Sequence, residues 1–558
     1  MADVARVQSE TDIADTVRLD GFIYTMEQDL PVVEAVAVRD GKIMALGTSS
    51  EIQKCRGKMT RVVDLERRMA MPGLIDGHCH PTKGAIANLF SCKFEFAATP
   101  AEIARTLTEY VTRNPDVECI IGGRWHSGFF GEHALRSPRK WLDQFSGDKA
   151  VYLRDDSGHN GWANTRALQL VGVDRNSEDP AGGKVMREAE TGEPTGLLLE
   201  EADASARSRL PDWSAEQYRA GVLEMVRIAN GYGITGVTDA DASEALLKSY
   251  HVADRTGALS LYVAASISTP YGHRETPLDY AQIEALRDRY CSPRVDTRFV
   301  KIYEDGVPTA ARTAAMLAPY LPDRDFPDGF SGLLHVDETT LAADISELEK
   351  RGFTVKLHTA GDRAVRTALN AIEKAHTLSG RSDLRHELAH AGFIDPVDIP
   401  RFRQLNVVAD LSPYIWYPSP IIESMREALG ERAGQYWPIR DLLEAGAPLL
   451  AGSDWPAAVS SMDPWIGIGA MVTRRDSSDS TSEALWPEQA ISLEQALRIF
   501  TIDGARAHRR ETETGSLRVG KSADVIVLGQ NLFDIAPDNI ADTVVDMTLF
   551  AGEVVYQK

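Results

Sequence analysis

His78 and His80 are separated by a single residue, Cys79. On an extended strand successive side chains point to opposite faces, so both imidazoles share one face and Cys79 takes the other. Two rings so placed can share one metal ion. Further along stand Lys301, His358, His390 and Asp454, each at or near the polar end of a short apolar run. Imidazole and carboxylate suit a borderline divalent cation, zinc before others, with one or two ions per chain. Such an ion would lower the pKa of a bound water toward about 7 and polarise a substrate carbonyl. A carboxylate beside that water can accept its proton and pass it to the leaving group. Asp454 is placed for that task. Lys301 is the odd member, since an ammonium repels a cation. It becomes a ligand only when deprotonated or converted by CO₂ into a carbamate; otherwise it forms a salt bridge to Glu304 or Asp454.

Something must bring these distant residues together. Eight short apolar runs read as strands: 71–78, 234–240, 261–267, 299–304, 354–360, 384–390, 407–411 and 448–454. Amphipathic stretches such as 281–290, 341–351 and 364–376 lie between most of them. Eight β/α units spell an α/β TIM barrel, whose active sites lie at the C-terminal mouth. Four of the 13 histidines then fall at barrel strand ends. The interval between the first two strands is far too long for one helix. An insertion of about 82–230 is therefore expected, lying over the mouth. Both chain ends are β-rich. Residues 32–38 and 42–46 flank the turn Arg39-Asp40-Gly41, and 523–528 and 548–556 read as strands, the last broken at Ala551-Gly552. Neither end holds a core alone, so 1–70 and 510–558 are expected to combine into a small β-sandwich beside a barrel domain of 71–509.

The chain has 558 residues, 43% hydrophobic and 25% charged, with a formal charge of −22 and a pI of about 5.1. That is a globular composition with a large core. The acidic balance argues against nucleic-acid partners, since phosphate affinity comes from clustered Lys and Arg. No apolar run reaches the ~18 residues of a membrane helix. Residues 1–20 lack a hydrophobic signal core, which makes a cytoplasmic location the default expectation. The five cysteines form no CxxC pair. They read as inert thiols rather than a disulfide framework.

Five of these segments carry a family likeness. Residues 72–80, Pro-Gly-Leu-Ile-Asp-Gly-His-Cys-His, resemble the first-strand signature of the amidohydrolase superfamily. The resemblance narrows to its amidohydrolase-3, or YtcJ-like, group. Val300-Lys301-Ile302-Tyr303-Glu304-Asp305-Gly306 is similar to that group's fourth-strand motif, and Leu357-His358-Thr359-Ala360-Gly361-Asp362-Arg363 to its fifth. Arg385-His386-Glu387-Leu388-Ala389-His390 resembles the sixth and Gly452-Ser453-Asp454-Trp455-Pro456 the eighth. Residues 515–524 match the return to the small β domain, and 156–162 and 192–196 match within the insertion. The resemblance implies a metal-dependent hydrolase acting on carbon–nitrogen bonds other than peptides. It implies His78, His80, His358, His390 and Asp454 as metal-site residues, with Lys301 as a carboxylated bridge, a small-molecule substrate and a homodimer. Two departures stand out: Ala389 where the family has a carboxylate, and the loop Gly306-Val307-Pro308-Thr309-Ala310-Ala311 ahead of Arg312.

Other residues carry two readings each. His159, Trp162, Trp125 and His126 in the insertion either contact substrate or pack, and in the hydrolase reading His358 or His159 would help to polarise the substrate. Arg312 either clamps a substrate carboxylate or caps a helix. Tyr414, Trp416 and Tyr417 either line an apolar pocket or pack a loop. Glu304 and Asp305 are expected as solvated loop charges. His386 to His390 also spells HExxH, which builds a protease zinc site only on a helix. The expected reaction is hydrolysis of an amide, formamide or cyclic amide, with Asp454 as general acid and base. Ester or lactone hydrolysis in the same site is the alternative, followed by a barrel that binds a small ligand without turnover and, last, a zinc protease.

Overall fold

The computed structural model describes residues 13–558 apart from 96–97, 127–128, 134, 136, 156–157, 159, 181–182, 310, 323–328, 416–419, 458, 478 and 480. The chain forms two compact units, Thr82–Glu224 and the remainder, Met1–Pro81 with Met225–Lys558.

The larger unit contains a parallel eight-stranded sheet in sequence order: β1 (Leu74–Cys79), β2 (Ile234–Ala242), β3 (Tyr262–Ile267), β4 (Val295–Tyr303), β5 (Thr354–Thr359), β6 (Glu387–His390), β7 (Val408–Leu411) and β8 (Leu449–Ala451). Each of the eight expected runs overlaps one of these strands, although residues 71–72 belong to another sheet and 384–386 and 452–454 lie outside the strands. The seam between β8 and β1 is closed beyond the regular ladder. Asp454 N–H donates to the His78 carbonyl and His80 N–H to the Trp455 carbonyl, both at 2.7 Å. Gly452 permits that approach, because a Cβ there would lie 2.1 Å from the His78 nitrogen. The sheet is a TIM barrel. Parallel strands buried on both faces explain why the runs read as nearly continuous Val, Ile, Leu and Ala.

The crossover helices follow the same logic. Helix α1 (Glu338–Lys350) starts at Asp337, whose carboxylate accepts from the Thr339 and Thr340 amides, satisfying donors the first turn leaves open. Helix α2 (Asp362–Ser379) buries Val365, Ala368, Leu369, Ile372 and Ala375 on one stripe and stops at Gly380, φ 73°. Left-handed backbone there ends the helix without Cβ strain. Each fully buried Leu or Ile in such a stripe contributes roughly 1.5–3 kcal/mol.

Strands from both chain ends share one six-stranded sheet. Met69–Pro72 runs antiparallel to Val525–Leu528, with Pro72 opposite Val525. A four-stranded sheet (Thr16–Leu19, Ala35–Arg39, Lys42–Gly47, Arg61–Asp64) completes the small β region. Val36, Val38 and Ile43 of that sheet pack with Ile23, Val525, Val527 and Leu549 of the other. The two expected tight turns meet there: a Cβ on Gly41 (φ 74°) would lie 2.7 Å from the Ala551 carbonyl oxygen.

The second unit is the long insertion. Its mixed six-stranded sheet runs Gly183–Arg187, Pro194–Glu200, Asn160–Ala163, Ala150–Asp155, Cys119–Trp125, Cys92–Lys93. The core beside it gathers Trp125, Trp162, Phe129, Leu153 and Leu142.

Candidate metal centre

The parallel register sets which side chains share a level in the barrel. Lys301 lies opposite Lys356, and Tyr303 opposite His358. Lys356 lies opposite Glu387, and His358 opposite Ala389. Ala389 in turn lies opposite Asp410. Side chains at one level point to the same face, so Lys301, Lys356, His358, Glu387 and Asp410 all project inward.

His78 is wholly buried. Its Nδ1–H donates to Asp410 Oδ2 at 2.6 Å. That bond fixes the tautomer and leaves the lone pair on Nε2, a buried atom with no hydrogen-bond partner. His78 Nε2 lies 3.7 Å and His80 Nε2 3.5 Å from Asp454 Oδ1. His390 Nδ1 lies 4.0 Å from Asp454 Oδ2. One ligand atom from each of His78, His80 and Asp454 falls within 4.8 Å of the others. Ligands held ~2.1 Å from a tetrahedral ion stand about 3.4 Å apart. The residues therefore fit a divalent cation, and a buried imidazole nitrogen otherwise left bare costs about 1–3 kcal/mol. Burial, aided by Lys301 and Lys356, keeps His78 well below the usual imidazole range, and burial does the same for His390. Both are neutral at pH 7, the form a metal requires.

His390 reaches this cluster by leaving the strand conformation. Along β6 it is Ala389 that lies level with His358. Left-handed backbone at His390 (φ 71°) and Ala391 (φ 36°) turns the chain, and the His390 ring sits 4.5 Å from His358 and 4.8 Å from His78 between centroids. Asp454 is left-handed too, φ 58°. Such conformations cost of order 1–3 kcal/mol each and gather at functional sites. His358 Nε2 donates to the Gly306 carbonyl at 2.9 Å, which makes Nδ1 the lone-pair nitrogen. Lys301 is buried, its Nζ 5.1 Å from the Tyr303 ring centroid. Burial and the neighbouring Lys356 ammonium pull it down to about 8.

Several expectations need correction. Glu304 and Asp305 are not solvated; both are fully buried. Asp305 accepts the amides of Ala315, Ala360 and Gly361 at 2.9 Å each, tying the loop after β4 to the start of α2. Burial raises it to about 7 and holds Glu304 well above the usual carboxylate range. Trp162 is wholly buried and Trp125 nearly so, in an aromatic cluster with Trp141 and Phe130. They pack the insertion core, so the contact reading gives way to the packing one. His126 Nε2 lies 3.6 Å from Glu132. Arg312 sits at the tip of a loop folded back through Thr313 and Val307, with φ 54°. Tyr414 is buried against Phe500. His159, Trp416 and Tyr417 lie outside the described residues.

The HExxH reading fails because β6 begins at Glu387. His386 and His390 belong to different environments. His386 joins Glu349 and His376, whose ligand atoms also lie within 4.8 Å. There the Val355 amide donates to His386 Nδ1 at 3.0 Å, and Nε2 gives its proton to Glu349 at 2.9 Å. With both nitrogens so engaged, the ring has no lone pair for a cation.

Three buried charges beneath the centre were not singled out from sequence: Lys356, Glu387 and Asp410. Lys356 Nζ lies 2.6 Å from both Glu387 Oε2 and Asp410 Oδ2. Burial alone would lower this lysine, but the two carboxylates more than offset it and hold it at about 12. A signal was available. Lys356 shares a strand face with His358, and Asp410 interrupts an apolar run, where an ionised group requires a partner.

A (β/α)₈ barrel whose strand ends gather imidazoles and a carboxylate around bare, buried nitrogens has the architecture of a metal-dependent hydrolase. The chain belongs to the Amidohydrolase family, whose model matches residues 61–556. It is 27% identical to YtcJ of Bacillus subtilis (strain 168), named as an amidohydrolase, over 96% of this chain and 98% of that one. It is 25% identical to the N-substituted formamide deformylase of Arthrobacter pascens, over 98% and 99% respectively. The crystal structure of an uncharacterized metal-dependent hydrolase from Pyrococcus horikoshii OT3 superposes with a TM-score of 0.75 at 23% identity, covering 94% of this chain and 99% of that one. That last likeness is one of fold.

Proposed function

We propose that this hydrolase cleaves a non-peptide carbon–nitrogen bond in a small molecule, with an N-substituted formamide or related amide as the substrate class. The observation that carries the reading is the convergence of His78, His80 and Asp454 ligand atoms within 4.8 Å around a His78 nitrogen that is buried and bare. Full-length similarity to a formamide deformylase supports the bond type. A divalent cation, zinc by donor set, would polarise the substrate carbonyl and acidify a water.

The chain's own residues do the rest. His78 and His80 present lone pairs from one strand face, and we assign His358 and His390 to the same shell. Asp454 stands between three imidazoles with an oxygen toward each side. It would accept the proton of the attacking water and deliver it to the departing nitrogen, which leaves as a neutral amine. Lys301, pulled toward its neutral amine, is suited to serve as a carbamate ligand.

The test begins with metal analysis of protein purified without a metal-affinity tag, followed by a panel of N-substituted formamides, amides and lactones. One to two zinc equivalents per chain with turnover of formamides or amides is expected. Turnover confined to lactones would overturn the bond type. Failure to retain or take up any divalent ion would overturn the site.

A further inference from the structure

We propose that Lys356 is a positioning residue of the metal centre, acting on His78 through Asp410 and through the backbone. The proposal rests on the metal-site reading above. Lys356 Nζ reaches three strands: it donates to Asp410 Oδ2 on β7 at 2.6 Å and to the Gly77 carbonyl on β1 at 3.2 Å, and it forms an ion pair with Glu387 Oε2 on β6 at 2.6 Å. Its own stem rises from β5, two residues before His358. The group thus joins four strands and has no exposed surface.

Two of those contacts converge on His78. Gly77 is the residue before it, so its carbonyl belongs to the peptide that places the His78 Cα. Asp410 Oδ2 is the same oxygen that accepts from His78 Nδ1. With the ammonium donating to that oxygen as well, Oδ2 is an acceptor toward both neighbours. The imidazole proton therefore sits on Nδ1, and the lone pair on Nε2 faces His80 and Asp454. Partners behind a ligand histidine commonly contribute about 10–100-fold in metal affinity. Here the partner is itself oriented by a cation at the centre of the barrel. Glu387 adds a second ion pair to the same ammonium, so both buried carboxylates have a cation within 2.6 Å.

The test measures Zn²⁺ affinity by chelator competition for the full chain and for Lys356→Met, Asp410→Asn and the double variant. Histidine-labelled ¹⁵N spectra of the metal-free proteins report which His78 nitrogen carries the proton, with the signal assigned by its loss in His78→Asn. Lys356→Met and Asp410→Asn are each expected to bind Zn²⁺ roughly 10–100-fold more weakly. The double variant should lose more than Asp410→Asn alone, through the Gly77 contact, but clearly less than the product of the two single losses, because the other route from Lys356 to His78 runs through the carboxylate. His78 should read as the Nδ1–H tautomer in the wild type and lose that state in Lys356→Met. Wild-type affinity and tautomer in Lys356→Met overturn the proposal, as do losses that multiply in the double variant. Should Lys356→Met fail to fold, Lys356→Met/Glu387→Gln, which strands one carboxylate fewer, is read against the same criteria. A wild-type chain that binds no Zn²⁺ would instead sink the metal site, which separates the two failures.

Discussion

At the scale of single residues, the site works by leaving some atoms bare and binding others firmly. His78 has one nitrogen locked to Asp410 and the other unpaired in a dry environment. Asp454 keeps both oxygens 3.5 Å or more from the imidazoles around it, which leaves room for a cation or a water. Asp454→Asn preserves size and removes both the charge and the proton acceptor. Turnover should drop roughly 10²–10⁴-fold, the range of positioned acid–base groups, while the circular dichroism spectrum and thermal midpoint stay near those of the wild type. A variant with wild-type turnover would remove Asp454 from the mechanism. At this scale the sequence was informative about His78, His80, His358 and Asp454, because each ends an apolar run and such placement is hard to explain otherwise. Lys356 and Asp410 stood out only as charges in apolar strands, and which groups they pair with was hidden. Their partners come from other strands, and pairing across a barrel leaves no local pattern. The left-handed turn that aims His390 was equally hidden, since nothing in Ala389-His390-Ala391 demands positive φ.

At the scale of elements, the strands were legible because a parallel sheet covered on both faces needs unbroken apolar runs, while strand ends and loops were not. The loop after β4 looked like a solvated acidic segment. It is instead folded back so that Asp305 satisfies three amides from neighbouring loops, which only tertiary contact reveals. The β8–β1 seam is the element on which the centre depends most, because the Asp454 amide and the His78 carbonyl bond directly across it. Gly452 is its narrowest point. Gly452→Ala would place a methyl 2.1 Å from the His78 nitrogen, against backbone that cannot rotate away. A loss of about 1–3 kcal/mol or more is expected, measured as a lower urea midpoint, together with weaker Zn²⁺ binding as the strands part. Unchanged stability would mean that the seam yields more readily than its geometry implies.

At the scale of the whole molecule, buried ionisable groups set the pH range of stability. His508 accepts or donates at 2.6 Å to Thr238 on β2, with Lys356, Arg510 and Asp296 as the charges around it. Burial, reinforced by Lys356 and Arg510, lowers it to about 3. The folded state refuses a proton that the unfolded chain binds below about 6.5, so stability from this group is present above that pH. It is lost as pH falls toward about 3, with a slope up to ~1.4 kcal/mol per pH unit. Asp76 and Asp305, both raised to about 7 chiefly by burial, act in the opposite sense, because their folded forms hold protons that the unfolded chain releases above about 4. Urea titrations of metal-free protein between pH 4 and 6.5 should show a flatter acid loss for His508→Gln than for the wild type, by about one proton. Parallel curves would show that His508 is protonated without penalty.

The sheet shared by the two chain ends has a consequence for synthesis. Met69–Pro72 leads into β1 after one residue, yet its antiparallel neighbour Val525–Leu528 emerges from the ribosome more than four hundred residues later. Until then an apolar edge beside the first barrel strand stands unpaired, and such edges invite association with other chains. Two nascent copies can meet on that edge at any time before Val525 has been made, so the pairing that closes the small β region is also the step that removes this surface.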